Sequence, residues 1–415
     1  MDKRSFIRNS AFLLGFSPIL SKVALDEPFE DKYFDQNDSN KWQQVRKDYK
    51  LNKFINLENG YYCITPQPVL KKFYSHIDRV NTLGSYYMRT EQVENKNNIK
   101  NRLAQLMGCS GEEVAITRNT TESLDIIIGG FPWEKGDEAI MANQDYGAML
   151  NMFEQVSKRN GVVNKMIDIP LDPNSDEEIV AIYEKAITPK TKMILVPHMV
   201  NITGHILPIR KISDMAHGYG VKVLVDGAHC VAHFDFKIDD LHCDYYGASL
   251  HKWLSNPLGA GLLYVKKEHI PNIWPLMASW EKNRQNIQSI AHTGTLPVYT
   301  DLAINDSIDY YLSIGKKEKE DRLRLLQNYW VDQVRDLPNV MINTPRDKSR
   351  SCGIANVGLK NMKPSDLSKN LYEKYNIYTV AIDSVGVHGC RITPNIYTTF
   401  KELDVFVKAI KELAS

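Results

Sequence analysis

A lysine that follows a short polar turn and an aspartate that ends a short apolar run are the residues best suited to covalent chemistry. Lys252 lies in Gly247-Ala-Ser-Leu-His-Lys-Trp253, and Asp226 lies in Val223-Leu-Val-Asp-Gly-Ala-His229. A carboxylate at the end of a buried strand is costly unless a cation meets it. A lysine amine that is kept partly neutral can form a Schiff base with an aldehyde. Together the two residues indicate Schiff-base chemistry beside a bound cation.

A third motif, Ile116-Thr-Arg-Asn-Thr-Thr-Glu-Ser-Leu124, joins the end of a strand to the start of a helix. Helix N-termini bind phosphate through unpaired backbone N–H groups, and the hydroxyls of Thr120 and Thr121 add donors. By itself the motif is more typical of an ordinary capped helix. With Lys252 for an aldehyde and Asp226 for a protonated ring nitrogen, it predicts pyridoxal 5′-phosphate (PLP) as the cofactor.

Five further residues lie where a cofactor or a substrate would be contacted. Tyr146 and Asn201 each follow a predicted strand, so the tyrosine ring could cover the cofactor and the amide could reach its ring oxygen. Ser249 and His251 lie beside the lysine and could reach the phosphate. Arg391 offers a guanidinium fork that suits a substrate carboxylate. Plainer interpretations stay open, namely packing for Tyr146 and a surface ion pair for Arg391.

The elements that must position these residues alternate between strands and helices, which is typical of an α/β protein with a mostly parallel sheet. Strands are predicted at Val114–Thr117, Glu138–Ala142, Met193–Pro197, Val221–Val225 and Gly261–Val265. Helices are predicted at Ser175–Ile187, Pro208–Tyr219, Ile314–Arg335 and Lys401–Leu413. Beyond Thr300 the alternation gives way to a long charged helix and shorter β-like runs, which indicates a second, smaller α+β domain.

Four segments are predicted along the chain. Residues 1–25 form an export signal, and residues 26–75 form an N-terminal arm that joins the small domain. Residues 76–299 form the large PLP-binding domain, with helices on both faces of its sheet, and residues 300–415 form the small domain.

Composition excludes several classes of function. The 415 residues carry a formal net charge of +1, which is not the footprint of a nucleic-acid-binding protein or of a basic membrane-binding face. The six cysteines are scattered without metal-ligand spacing, so neither structural zinc nor a disulfide framework is indicated, and no metal is expected. No G-x-G-x-x-G motif follows an early strand, which argues against an NAD-binding protein.

The N-terminus has the layout of an export signal. Met1-Asp-Lys-Arg-Ser-Phe-Ile-Arg8 is basic, and Ala11-Phe-Leu-Leu-Gly-Phe-Ser-Pro-Ile-Leu20 is apolar but too short to span a bilayer. Lys3-Arg4 resembles a twin-arginine pair with lysine first, which predicts a periplasmic protein without stable membrane insertion. Ser21-Lys-Val-Ala24 is a poor cleavage site. An N-terminal amphipathic helix on a cytoplasmic protein therefore stays an alternative.

From about Asn56 to the C-terminus the chain resembles the class V aminotransferase superfamily of fold-type I PLP enzymes, and within it the isopenicillin N epimerase-like branch. The segments that carry the resemblance are Tyr86-Tyr-Met-Arg89, Thr117-Arg-Asn-Thr-Thr-Glu122, Gln144-Asp-Tyr146, Asp226-Gly-Ala-His229, Ser249-Leu-His-Lys252 and Arg391-Ile-Thr-Pro-Asn-Ile-Tyr397. The resemblance implies a PLP-dependent transferase fold with a large and a small domain.

The resemblance also assigns roles. Lys252 and Asp226 would be catalytic, Lys252 through a Schiff base and Asp226 as the partner of the ring nitrogen. The resemblance implies cofactor contacts for Thr120, Thr121, Tyr146, Asn201, Asp226, His229, Ser249, His251, Lys252 and Thr295, and substrate contacts for Arg391 and Arg89. In relatives the segment around His292-Thr-Gly-Thr295 reaches the phosphate of the neighbouring subunit, which predicts a homodimer with a shared active site.

One departure argues against cysteine desulfurase activity. Those enzymes carry a nucleophilic cysteine on a mobile loop well before the carboxylate-binding arginine, whereas here Cys390 directly precedes Arg391. Adjacent residues of an extended chain point to opposite sides, so this thiol would face away from the site. Cys352 is a more distant candidate, and no neighbouring residue suggests activation of its thiol.

The function expected is that of an aminotransferase-like PLP enzyme acting on an amino acid or an amine-bearing derivative. Transamination needs no acid beyond the lysine, whereas epimerisation needs a second acid across the ring and a Cβ-lyase needs a leaving group. Tyr61, Tyr62, Tyr86 and Arg89 are candidates for substrate contact or for the second face. A non-catalytic PLP-fold binding protein is the alternative from another class. The sequence does not identify the substrate.

Overall fold

A seven-stranded sheet lies at the centre of the computed structural model, which describes Tyr33, Asp35 and residues 38–415. Numbered after the short β1 (Ile55–Asn56), its strands are β2 (Val114–Thr117), β3 (Glu138–Ala142), β4 (Val163–Ile167), β5 (Thr191–Pro197), β6 (Lys222–Asp226), β7 (Tyr245–Ser249) and β8 (Gly261–Val265). The order across the sheet is β2-β8-β7-β6-β5-β3-β4. Strand β8 is antiparallel to both neighbours, and the other pairs are parallel.

Apolar side chains cover both faces of this sheet because each strand sends alternate residues to opposite sides. In β6, Val223 and Val225 pack into one buried cluster, whereas Leu224 between them packs into another. Strand β5 repeats the pattern, with Ile194 in the first cluster and Leu195 in the second. A parallel sheet buried on both faces explains why these strands are nearly continuous apolar runs. The predicted mostly parallel α/β fold is confirmed.

Helices surround the sheet and lead into its connections. In chain order they are α1 (Asn40–Lys47), α2 (Gln67–Leu83), α3 (Ser85–Thr90), α4 (Gln92–Met107), α5 (Thr120–Gly130), α6 (Gly147–Asn160), α7 (Asp176–Ala186), α8 (Ile209–Gly218), α9 (Ile238–Leu241), α10 (Val298–Ile314), α11 (Lys316–Val334), α12 (Pro364–Tyr375) and α13 (Phe400–Ala414). Helices α5 and α6 begin directly after β2 and β3, and their first turns therefore lie at the carboxyl ends of those strands.

The register of the central strands brings their carboxyl ends level. Pro197 at the end of β5 pairs with Asp226 at the end of β6, and Asp226 pairs with Gly247 in β7. Side chains that end these strands, or follow them in short loops, must therefore share one edge of the sheet. In α/β folds this edge is where ligands bind.

A second, four-stranded antiparallel sheet lies in the C-terminal part of the chain. Its strands are β9 (Val340–Ile342), β10 (Ala355–Leu359), β12 (Val380–Ser384) and β13 (Val387–Ile392), in the order β12-β13-β10-β9. The short strand β1 pairs in parallel with β11 (Ile377–Tyr378). Trp330, Leu371 and Phe406 from helices α11, α12 and α13 share a buried cluster with this sheet.

The predicted domain limits stay a prediction. Residues from Tyr33 to Ser415 form one compact unit. Ile304 and Ile308 of α10 lie after the predicted boundary at Thr300, yet they pack into a buried cluster of the seven-stranded sheet.

Several predicted elements match the structure, and some do not. Strands β2, β3 and β8 have the predicted limits, whereas β4 and β7 were not predicted. The predicted helix Ile314–Arg335 was wrong at its start, because Ile314 ends α10 and Gly315 separates it from α11. Gly315 adopts a φ of 97°, a conformation that glycine tolerates far better than other residues and that interrupts the helix.

The predicted export signal lies outside the described residues, as does most of the stretch 26–37 at the start of the predicted arm. Within the described part, no helix is long and apolar enough to cross a membrane. Among the same residues, no group of three or more histidine, cysteine, aspartate or glutamate side chains is arranged to hold a metal ion.

Strand β1 should matter for stability because the side chain of its Ile55 is fully buried in the core of the four-stranded sheet. We expect Ile55→Ala to lower the free energy of unfolding by about 2–5 kcal/mol, since it leaves a cavity in a packed core. Val163→Ala, on the exposed edge strand β4, should change it by less than about 0.5 kcal/mol. Urea unfolding measures both variants, and equal shifts would contradict the packing described for β1.

Candidate active site

A cavity of about 470 Å³ lies at the carboxyl edge of the large sheet. Among the residues that line it are ten of those predicted for the site: Thr120, Thr121, Tyr146, Asn201, Asp226, His229, Ser249, His251, Lys252 and Arg391. They are widely separated in sequence. The level carboxyl ends of β5, β6 and β7 and the start of α5 bring most of them together.

Lys252 follows β7 in a tight turn that holds its amine inside the cavity. The turn is closed by backbone hydrogen bonds from Ser255 N to Lys252 O (2.9 Å) and from Asn256 N to Leu250 O (3.1 Å). Lys252 Nζ lies 3.1 Å from His229 Nε2. Burial lowers the pKa of the Lys252 amine to about 8, an effect that Asp226 opposes and the charge of Arg391 reinforces. A sizeable fraction of the amine is therefore neutral near physiological pH.

The histidines beside Lys252 are neutral imidazoles. Burial holds the pKa of His229 well below its ordinary value, and the Lys252 charge adds to the effect. Burial also lowers the pKa of His251 to about 4. The Nδ1 atoms of both rings are buried and make no hydrogen bond to another residue, so each has bonding capacity left for a ligand.

Asp226 ends β6 with its carboxylate against the cavity. Burial raises its pKa, while a hydrogen bond from Ala228 N to Asp226 Oδ1 (2.9 Å) and the Lys252 charge oppose that rise. The residue after Asp226 is Gly227, and a side chain would not fit there because a Cβ would lie 2.0 Å from the ring of Tyr246. A buried carboxylate facing a cavity is stabilised by a cation, such as the protonated ring nitrogen of PLP.

The N-terminus of α5 forms the anion-binding end of the cavity. Thr120 N donates to Ser249 Oγ at 3.0 Å, and the hydroxyls of the two residues lie 2.7 Å apart. Asn119 caps the helix by accepting a hydrogen bond from Glu122 N at 2.9 Å. Strand β8 approaches closely, since a Cβ on Gly261 would lie 2.7 Å from the Asn119 backbone. Converging N–H and O–H groups at a helix N-terminus fit a phosphate.

Tyr146 and Asn201 line the cavity from the loops after β3 and β5. Tyr146 precedes the first turn of α6 and is 49% exposed, so one face of its ring is free to cover a ligand. The Asn201 backbone oxygen accepts a hydrogen bond from Arg391 NH1 at 3.3 Å. The ring stacking of Tyr146 and the ring-oxygen contact of Asn201 stay predictions.

Arg391 reaches the cavity from β13 and meets an acid that was not predicted. Its Nε donates to Glu58 Oε2 at 3.2 Å, and its NH2 donates to Glu58 Oε1. Gly60 lies beneath the guanidinium, because a Cβ there would be 2.5 Å from Arg391 Cζ. The exposed Tyr61 lines the cavity beside them. Sequence inspection missed Glu58 and Gly60, and the only available signal was an acid following the apolar Leu57.

Cys390 points away from the cavity, as expected from its position next to Arg391. It is fully buried in the small sheet's core, and its thiol contacts Pro364 O at 3.6 Å. None of the six cysteines lines the cavity, and all six lie within the described residues. Burial raises the pKa of Cys63, which lies behind the site, to about 12, so its thiol stays protonated.

Two predicted residues lie outside the cavity. Arg89 is exposed on α3. Thr295 lines a separate cavity with Lys96 and Trp280, although His292 lines an adjoining cavity that includes Thr121. Their predicted roles stay predictions.

The arrangement fits PLP at three points. The α5 N-terminus with Ser249 suits the phosphate, Asp226 suits the ring nitrogen, and Lys252 suits the aldehyde. The unpaired Nδ1 atoms of His229 and His251 offer further bonding capacity.

The lowered pKa of Lys252 should be visible in cofactor-free protein. Labelling of the Lys252 amine by an acylating reagent should rise with pH and reach half of its maximum near pH 8, because only the neutral amine reacts. Peptide mass spectrometry at each pH reports the extent of labelling. The exposed Lys282 serves as the internal reference for the reactivity of the reagent at each pH. A labelling midpoint for Lys252 near the ordinary lysine value of about 10.4 would contradict its buried environment.

Ser249→Ala should weaken cofactor binding because it removes a hydroxyl from the anion-binding end. A hydrogen bond to a charged group contributes about 1.5–3 kcal/mol, so the PLP dissociation constant should rise at least about 10-fold. Equilibrium dialysis of PLP measures it. Ser313→Ala, an exposed serine on α10, is the matched control and should leave the constant unchanged.

Comparison with known proteins identifies the family of the chain. The family model described as aminotransferase class-V matches residues 63–406. Isopenicillin N epimerase from Streptomyces clavuligerus is 26% identical over 75% of this chain and 82% of its own. Cysteine desulfurase from Haloferax volcanii is 26% identical over 86% of this chain and 88% of its own.

A solved structure has the same fold. The apo structure of cysteine desulfurase from Thermococcus onnurineus NA1 superposes with a TM-score of 0.79 at 21% identity, covering 90% of this chain and 98% of that one. The predicted family, enzyme class and cofactor are confirmed. The chain belongs to the aminotransferase class-V family of PLP-dependent enzymes.

Proposed function

We propose that this protein is a PLP-dependent aminotransferase acting on an amino acid or an amine-bearing derivative. The observation that carries the proposal is a single cavity that holds the partly neutral amine of Lys252, the carboxylate of Asp226 and the guanidinium of Arg391. An amine, a buried acid and a carboxylate-binding fork are the groups that amino-acid chemistry at Cα requires.

Each group has a defined task. When bound, PLP supplies an aldehyde and an electron-accepting ring. Asp226 would hold the proton on the ring nitrogen, and the N-terminus of α5 with Ser249 would hold the phosphate. Arg391 would orient the substrate through its carboxylate. The neutral amine of Lys252 would take the Cα proton, and the resulting ammonium would hold that proton beside the substrate.

Transamination is favoured over epimerisation because the cavity offers one base that works near neutral pH. The lowered pKa values of His229 and His251 keep both imidazoles neutral, so neither is an imidazolium that could act as an acid toward Cα. Lys252 can remove a proton and return it on the same side of the substrate. Epimerisation needs delivery from the opposite side.

An epimerase is the second candidate. The similarity to isopenicillin N epimerase favours it. Tyr61 and Tyr146 line the cavity, and the phenol hydroxyl of either residue could serve as the second proton donor. Cβ-lysis and a non-catalytic binding protein remain alternatives to be tested. Desulfuration through an enzyme persulfide is disfavoured because no cysteine lines the cavity.

We also propose a homodimer. Support comes from large apolar side chains exposed in the described part of the chain, among them Trp274, Trp280 and Val93. Val93 and Trp280 line the same cavity as Thr295, the residue predicted to reach a neighbouring subunit.

The reaction can be identified with purified PLP-loaded protein and a panel of L- and D-amino acids. We expect a stoichiometric conversion of the cofactor to pyridoxamine 5′-phosphate, followed by absorbance and mass, with one group of amino donors. If PLP persists while Cα takes up solvent deuterium, epimerisation or lysis replaces transamination. A folded protein that binds PLP and exchanges no Cα proton would be a binding protein.

Lys252→Ala should reduce Cα exchange by at least about 10²-fold, because general-base catalysis contributes about 10²–10⁴-fold. The protein should stay folded, since the substitution removes a half-buried charge from a cavity wall. Lys282→Ala, an exposed lysine, is the matched control. Undiminished exchange in Lys252→Ala would contradict the role given to this amine.

A further inference from the structure

The carboxylate-binding arginine is already paired inside the protein. Both oxygens of Glu58 accept hydrogen bonds from Arg391, through Nε and NH2. The two side chains are 6% and 8% exposed. Glu58 is not among the residues that line the cavity, whereas Arg391 is, so the glutamate holds the arginine from behind.

The pair is held in place on all sides. Tyr61 N donates to Glu58 Oε1 at 2.9 Å, and Glu58 N donates to Asn56 Oδ1 at 3.1 Å, so the acid sits in a closed turn. Gly60 lets the guanidinium lie directly against the backbone. Arg391 NH1 is engaged by the Asn201 carbonyl. These contacts tie both side chains of the pair to the surrounding backbone, and the Glu58 backbone to Asn56.

This pairing changes what the arginine does for a substrate. A buried arginine without a partner is an uncompensated charge, and a ligand carboxylate would relieve it strongly. Here Glu58 already provides that relief, so an incoming carboxylate must share the guanidinium with a fixed negative charge. A primary amine without a carboxylate leaves the ion pair undisturbed.

We propose that Glu58 is a specificity-determining residue that neutralises Arg391 and thereby admits amines lacking an α-carboxylate, together with amino acids, as substrates. This inference rests on the proposed function. It deepens that function by naming primary amines as part of the substrate class.

The test compares each of the twenty standard L-amino acids with the amine formed by removing its carboxylate. In PLP-loaded wild type, the ratio of kcat/KM for the best amino acid to that for its amine should stay below about 10³, since the two charge-assisted hydrogen bonds of an unshared bidentate arginine would contribute up to about 10⁴-fold. In Glu58→Gln, which keeps the shape and removes the charge, the ratio should rise at least about 10-fold. Glu58→Asp keeps the charge and should stay within about 3-fold of wild type.

A binding measurement provides a readout independent of turnover. Acetate, titrated calorimetrically into the PLP-loaded protein, should bind at least about 10-fold more tightly to Glu58→Gln than to wild type. Glu402→Gln is the matched control, because Glu402 forms an equally buried bidentate pair with Arg46 that does not line the cavity. It should change neither readout.

Three results would overturn the inference. They are a wild-type ratio of amino-acid to amine kcat/KM above about 10³, an unchanged or lower ratio in Glu58→Gln, or equal affinity of wild type and Glu58→Gln for acetate. If Glu58→Gln does not fold, the wild-type ratio decides alone. Failure of the proposed function would give a different result, since the wild type would then consume neither amino acids nor amines.

Discussion

The register of strands β5, β6 and β7 is the constraint on which the rest of the site depends. Because Pro197, Asp226 and Gly247 lie side by side, the loops that follow these strands open onto one edge. A shift of one residue in β6 would turn Asp226 to the opposite face of the sheet. The strands hold this register because their two faces pack different side chains into two separate buried clusters, and a shift of one residue would exchange the two sets. The precision of the site therefore comes from the core of the sheet.

The site itself is an arrangement of charges withdrawn from water. Lys252, Asp226 and Arg391 line one cavity, and the buried Glu58 pairs with Arg391. Burial makes a free ammonium costly, and nearby charges then decide how much of it remains. The charge of Asp226 favours the ammonium form of Lys252, and the charge of Arg391 disfavours it. Both the ammonium and the neutral amine are therefore populated near neutral pH. The same burial keeps the histidines neutral.

One scaffold in this family supports different outcomes, as the similarity to an epimerase and to a desulfurase illustrates. The groups that bind the cofactor belong to the sheet edge and the start of α5, whereas the groups that choose the outcome lie around the substrate. Here those are Arg391 with its partner Glu58, and the tyrosines 61 and 146 at the mouth of the cavity. The balance of acids and bases around the substrate, more than the fold, separates the possible reactions.

The sequence by itself determined the fold class, the family and most of the residues that line the cavity, because these residues lie in short motifs at strand ends whose side chains indicate their chemistry. It did not reveal β4 or β7, since the exposed Val163–Ile167 lacks a clear apolar face and Tyr245–Ser249 is rich in small residues. Only the tertiary structure paired Glu58 with Arg391 across 333 residues of chain. Such a contact is set by the packing of β1 against the small sheet, and no local pattern encodes it.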